Sequence, residues 1–143
     1  MSEEIFVRKF WDLTAAQFHE ILRLRIDVFV VEQSCPYPEL DGADRDDATL
    51  HYWTEDAEGI TAYLRTLKHP RGRRIGRVVT ASRRRSEGLA AALMERVLKD
   101  ERGFMVLSAQ SYLQEFYERF GFAAEGEEYL EDEIPHIDMV RSA

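Results

Sequence analysis

The sequence predicts a mixed α/β protein, a sheet with helices packed against it. Three observations point there. Strand-like and helix-like segments follow one another in the order β α loop β β β α β α β β. Residues 88–102 repeat apolar side chains at helical intervals, with Leu89, Leu93 and Val97 on one side and Met94 and Leu98 beside them. Residues 104–107, FMVL, form a short apolar run of the kind found in a buried central strand.

The elements follow in chain order. Residues 5–11 are apolar-rich and read as an edge strand. Thr14-Ala15-Ala16-Gln17 has capping-box spacing, in which the Thr hydroxyl and the Gln side chain each satisfy a free backbone N–H. The helix it opens places Phe18, Ile21, Leu22, Val28 and Phe29 at helical intervals and ends near Val31. Pro36, Pro38 and Gly42 then exclude regular structure. Residues 51–54 and 60–67 read as a hairpin turning at Glu58-Gly59. HPRG, 69–72, is a turn, and 75–81 is a β-branched strand. The helix at 88–102 ends at Gly103. Ser111-Tyr112-Leu113-Gln114 repeats the capping-box spacing and opens a short helix through Arg119. A last pair of strands is expected around 122–129 and 135–140.

With 143 residues, the chain is long enough for one domain with a real core and short for two, so residues 1–143 are read as one domain. Composition is that of a soluble globular protein, 45% apolar and 32% charged. No apolar run approaches the ~20 residues of a membrane-crossing helix, and MSEEIFVRKF lacks the basic start and apolar stretch of a signal peptide. Cys35 is the single cysteine, which excludes an intrachain disulfide and fits a reducing, cytoplasmic setting. It lies between Ser34 and Pro36 with no neighbour to activate a thiolate. The four histidines show no metal-ligand spacing, and DGADRDD has its glycine in the wrong place for a calcium loop, so no metal is expected.

Net charge is −8, which argues against coating nucleic acid, yet residues 60–86 contain no Asp or Glu and hold nine of the 19 Lys and Arg. Acid concentrates at 39–47 and 125–133. Both patterns suit solvated faces; the acid-free window also suits an anion site. Tyr63 is the one aromatic in that window, too few for stacking on nucleic-acid bases. RRRSEGLAAALMERV, 83–97, gives the anion a place. The first turn of a helix offers free N–H groups and a partial positive charge. Gly88 and Ala90 would let an anion approach the backbone, and arginine supplies forked donors for phosphate. Small residues at a helix start also serve close packing. No Gly-Lys-Ser/Thr and no G-x-G-x-x-G is present.

Arg85-Ser86-Glu87-Gly88-Leu89-Ala90 fits the Arg/Gln-x-x-Gly-x-Gly/Ala signature of the GCN5-related N-acetyltransferases, between a strand, IGRVVTA, and a long helix. LSAQSYLQEFYERFGF resembles the second segment of that family. VFVVEQSCPYPELDG, LSAQSYLQEFY and EDEIPHI are similar to its ElaA-like branch, and the similarity spans nearly the whole chain in order. The resemblance implies a mostly antiparallel sheet with helices on both faces. It also implies that the strand at 75–81 splays from the strand at 104–109. Acetyl-CoA would lie in the gap, with backbone groups of Val78, Val79 and Thr80 pairing with the pantetheine amides. Amides from Arg85, Ser86, Glu87, Gly88, Leu89 and Ala90 would hold the pyrophosphate. Gln110 stands where the family often has Asn facing the cofactor.

The implied activity is acetyl transfer to an amine acceptor in a ternary complex, and Tyr117 matches the tyrosine general acid. A phenol of pKa ~10 is protonated at neutral pH and can donate to a departing thiolate; Tyr117 also suits a core aromatic beside Tyr112, Phe116 and Phe120. A backbone N–H near Val79 could meet the oxyanion. The amine must lose a proton, for which Glu32, Asp41, Asp44, His51, Glu133 and His136 are candidates, the histidines for a pKa near neutrality. The two acidic stretches could flank the acceptor entrance and draw in a cation. A non-catalytic module that binds CoA or a nucleotide is the alternative reading. Exposed edge strands would allow a homodimer.

Overall fold

The computed structural model describes residues 3–34 and 38–142; the expectation about Cys35 lies outside them. Eight strands form a mixed sheet in the order β1-β2-β3-β4-β5-β8-β6, with β7 also pairing with β8. They are β1 Phe6–Arg8, β2 Leu50–Asp56, β3 Gly59–His69, β4 Gly72–Thr80, β5 Met105–Gln110, β6 Ala123–Ala124, β7 Tyr129–Glu131 and β8 Ile134–Arg141. Every pairing is antiparallel except β4 with β5. That parallel pair is joined through helix α2, Leu89–Asp100, the long crossover such a pair needs.

Helices cover both faces. α1, Ala15–Arg25, packs Ile21 and Leu24 against Trp53, Tyr63 and Val79 on one side. On the other, α2 and the short α3, Gln114–Glu118, pack Leu93, Met94, Val97 and Tyr117 against Tyr52, Leu64, Ile75 and Leu107. Leu93, Met94 and Val97 are fully buried, each stabilising the fold by about 1.5–3 kcal/mol.

The Thr14 capping box forms as the spacing predicts: Gln17 N–H donates to Thr14 Oγ1 at 3.0 Å, and Thr14 N–H donates to Gln17 Oε1 at 2.9 Å. The second one does not. Residues Ser111–Leu113 form a 3₁₀ turn, α3 begins only at Gln114, and Ser111 Oγ is buried without a hydrogen-bond partner among the described residues. The first strand is shorter than the apolar run, because Phe10–Asp12 turns as a 3₁₀ helix and leaves Trp11 exposed. The expected strand at 122–129 divides into β6 and β7. The β3–β4 hairpin is longer than its apolar segments, since Lys68, Arg73 and Arg74 continue the ladder toward the turn at Pro70-Arg71. The sheet's terminal strands are short, three residues in β1 and two in β6, which leaves little ladder for a second copy.

Two irregularities shape the centre. α1 runs on into a π-helical segment, Ile26–Glu32, a geometry often found at functional sites. In β4, Tyr63 pairs with Val79 and Arg65 with Gly76, so Leu64 faces two residues, Arg77 and Val78. This β-bulge puts Arg77 at φ 55° and bends the strand.

Candidate active site

The bend opens the sheet. β4 and β5 pair at Arg73–Met105, Arg74–Val106 and Ile75–Leu107, and no further. Beyond Ile75 the two strands part, and a cavity of about 670 Å³ occupies the gap. Gly76 to Thr80 line one wall, Leu107, Ser108 and Gln110 the other. Those β4 residues keep their ladder with β3 on one edge only, so their other edge is open to a strand-like ligand. The π-helical segment and its cap contribute Val28, Phe29, Glu32 and Gln33; the 3₁₀ turn and α3 contribute Tyr112, Leu113, Phe116 and Tyr117. Gln110 reaches Gln33 at 3.3 Å.

Past β4 the chain passes through a 3₁₀ turn, Ser82–Arg84, to the start of α2. Arg85 and Ala90 line the cavity, and the loop between them, Ser86 to Gly88, is exposed. Gly88 caps α2 in the left-handed region at φ 78°, with open space where a Cβ would stand. The first main-chain bond of the helix is Ala92 N–H to Gly88 C=O at 3.0 Å, which leaves the earlier amides unsatisfied by helix geometry. Leu89 points inward and is buried. The positive run is less available than its sequence suggests. Arg83 is engaged by Asp56 at 2.7 Å and Glu58 at 3.0 Å; Arg84 by Asp56 at 2.7 Å, Glu3 at 2.9 Å and Glu87 at 3.0 Å. Arg85 alone of the three faces the cavity, paired with Glu32 at 2.8 Å.

Tyr117 is 5% exposed and lines the cavity. Burial pushes its phenol well above the ordinary range, so it stays protonated. Its hydroxyl has no hydrogen-bond partner among the described residues, while its ring packs edge-on against Phe116 and Phe122.

The candidate proton acceptors separate by position. His136 lines the cavity. Its Nδ1–H donates to the Ile134 carbonyl at 2.7 Å, which turns Nε2 toward Glu131 at 3.3 Å. Glu32 lines the cavity too, but its hydrogen bond with Arg85 holds its carboxyl below the usual range and weakens it as a base. His51 is fully buried outside the cavity lining. It accepts from the Tyr63 hydroxyl at 2.6 Å and donates to the Asp44 carbonyl at 3.1 Å, and burial pushes its pKa down. Asp41 and Asp44 belong to an ion cluster: Asp44 bonds Arg25 and Arg65 at 2.8 Å each, and Asp41 bonds Arg65 at 2.8 Å. Glu39 bonds Arg25 at 2.9 Å and also Arg77. Glu133 is exposed and does not line the cavity.

Acid from residues 39–47 therefore meets the basic window rather than an incoming cation. The other acidic stretch does reach the cavity, through Glu131 and Asp132. Asp132 and Glu133 both have positive φ, 49° and 66°, in the tight turn between β7 and β8. Positive φ at both central residues is what a two-residue hairpin turn of this hand requires. Sequence reasoning did not single out Phe29, Gln33, Arg74, Ser108, Glu131 or Asp132 as cavity residues. The acid-free window touched Arg74 and the acidic run Glu131 and Asp132, while Phe29, Gln33 and Ser108 fell inside the segments similar to the ElaA-like branch without being assigned a role.

Residues 25–143 match the model of the acetyltransferase (GNAT) domain. The chain belongs to the GNAT acetyltransferase family. ElaA of Escherichia coli is 38% identical over 138 residues, 91% of this chain and 90% of ElaA. The crystal structure of ElaA superposes with a TM-score of 0.90, covering 99% of this chain and 100% of that one. An acyl-CoA N-acyltransferase from Pseudomonas aeruginosa is 43% identical with a TM-score of 0.90, covering 97% and 99% of the two chains. A UPF0039 protein of Mycobacterium tuberculosis is 41% identical over 143 residues, 94% of this chain and 92% of that protein. The mostly antiparallel sheet with its splayed centre is thus the GNAT fold, and the ElaA resemblance seen in the sequence holds over the chain's length. Among the described residues no helix is long and apolar enough to cross a membrane.

Proposed function

We propose that this GNAT protein moves an acetyl group from acetyl-CoA to an amine by direct attack in a ternary complex. The observation that carries the reading is the end of β4–β5 pairing at Ile75–Leu107, with a cavity that runs from that fork to Arg85 and Ala90, on either side of the exposed loop before α2. Backbone groups of Val78, Val79 and Thr80 would hold the pantetheine amides. The N–H groups from Arg85 to Ala90 would hold the pyrophosphate, and the space beside Gly88 suits an anion close to the main chain.

Acetyl-CoA supplies a thioester whose C–S bond breaks as the amine nitrogen bonds to the carbonyl carbon. Tyr117 gives its phenolic proton to the departing sulfur. A backbone N–H near Val79 meets the carbonyl oxygen as charge builds there. His136 takes the amine proton at Nε2, directly or through water, and Glu131 steadies the resulting imidazolium. The lone cysteine of the sequence fits a cytoplasmic setting.

The test pairs calorimetry of acetyl-CoA binding with release of free thiol across an amine panel. We expect binding and amine-dependent thiol release. Binding without amine-dependent release would make the protein a CoA-binding module, and no binding heat would end the proposal.

A further inference from the structure

We infer that the acceptor carries a carboxylate as well as its amine, and that Arg74 recognises it. This rests on the acetyl-transfer reading and names the substrate class of that same site. Of the arginines between residues 65 and 85, seven are held by protein carboxylates: Arg65, Arg71, Arg73, Arg77, Arg83, Arg84 and Arg85. Arg74 is the exception among the described residues. It lines the cavity, half-buried, and its guanidinium has no hydrogen bond or ion pair with any described residue. A guanidinium kept in a half-buried wall without a carboxylate invites one from the ligand.

Its position separates this cation from the cofactor end. Arg74 lies before the fork and Thr80 at the far end of β4, about 20 Å apart by strand rise. One pyrophosphate on the amides before α2 cannot also reach Arg74.

The opposite wall has the opposite sign. Arg74 pairs with Val106, so its side chain shares a face with Val106 and Ser108, while Ile75 and Leu107 face the α2 core. On that face Ser108 bonds the Tyr129 hydroxyl, which donates to Asp138 at 2.6 Å. Glu131 and Asp132 complete that wall beside His136. A molecule with its carboxylate on Arg74 would present its ammonium to Glu131 and Asp132, next to the proton acceptor. Neutralisation at both ends matches an amino carboxylic acid better than a simple amine or a polyamine.

The experiment uses acceptor pairs that differ only in the carboxylate: lysine and cadaverine, ornithine and putrescine, phenylalanine and phenethylamine. Acetyl-CoA binding is measured alongside by calorimetry. We expect at least one acid to exceed its decarboxylated partner in kcat/KM by about 10- to 100-fold, the scale of a charge-assisted contact. Arg74→Gln should erase that preference through KM, and Arg74→Glu should reverse it toward the diamines, with acetyl-CoA affinity unchanged in both. If acetyl-CoA binds and the decarboxylated amines react as well as the acids, or if no pair member reacts, the inference falls while cofactor binding stands. Loss of acetyl-CoA binding in the unmodified protein would instead overturn the reading beneath it.

Discussion

Glu32, at the end of the π-helical segment, and Arg85, ahead of α2, form a 2.8 Å ion pair on the cavity wall. The pair places a carboxylate on the one cavity-facing arginine of the 83–85 run, the guanidinium available to a phosphate of the proposed acetyl-CoA. Both side chains are more than 40% exposed, so the pair is weak in water. Glu32→Gln should therefore free Arg85 and tighten acetyl-CoA binding about two- to fivefold at low salt, with the gain shrinking at high salt. Calorimetry in two ionic strengths measures this. Weaker binding in the variant would mean that Glu32 helps to hold the ligand.

Tyr117→Phe isolates the proposed proton donor. Its hydroxyl has no protein partner among the described residues, so stability should stay within about 1 kcal/mol while kcat falls about 100-fold. Acetyl-CoA affinity should be unchanged. Because burial pushes the phenol up, the unmodified enzyme should show no loss of rate up to about pH 10 from this group. An unchanged kcat in the variant would end the assignment.

His51 sets a pH dependence of stability rather than of catalysis. Its folded pKa lies below the ordinary value of ~6.5, because burial disfavours the charged ring. Below that pH the unfolded chain binds the extra proton first, so stability is full above ~6.5 and declines as the medium becomes more acidic. Urea unfolding between pH 5 and 7.5 should show this slope. His51→Asn should flatten it and cost about 1–3 kcal/mol at neutral pH through the broken bonds to Tyr63 and Asp44.

Gly72 begins β4 at φ 150°, and a Cβ there would stand 2.1 Å from the Phe104 carbonyl oxygen. That oxygen accepts Arg73 N–H at 3.0 Å, the contact that starts the parallel pairing of β4 with β5. Gly72→Ala should lower stability by about 2–4 kcal/mol in a urea melt. A loss below about 0.5 kcal/mol would show that the junction yields easily.

Much of the fold was legible because local signals agreed. Thr14 and Gln17 announced α1, the spacing of Leu89, Leu93 and Val97 announced α2, and FMVL announced a buried strand. The splay was expected only through the family signature around Gly88. Periodicity could not show it, since a bulge at Arg77 is a relation between two strands and leaves no local mark. The same limit applies to charge. Arg25, Arg65 and Arg77 meet Glu39, Asp41 and Asp44 from distant parts of the chain, so the acid-free run read as an anion site when most of it neutralises protein carboxylates. Ser111 shows that capping spacing alone does not make a cap. The chain had first to turn as a 3₁₀ helix to bring Tyr112, Leu113 and Tyr117 to the cavity.

The surplus residue in β4 has an arithmetical consequence. Ile75 and Val78 belong to the α2 layer, and Val79 and Ala81 to the α1 layer, so the strand spends one position without advancing its alternation. Deleting Arg77 would keep every flanking side chain on its present side and let the strand run straight. The zipper with β5 could then continue past Ile75, giving a folded protein of the same topology with its slot sewn shut. Vacancy for the proposed acetyl-CoA is then encoded by a count of residues more than by their chemistry.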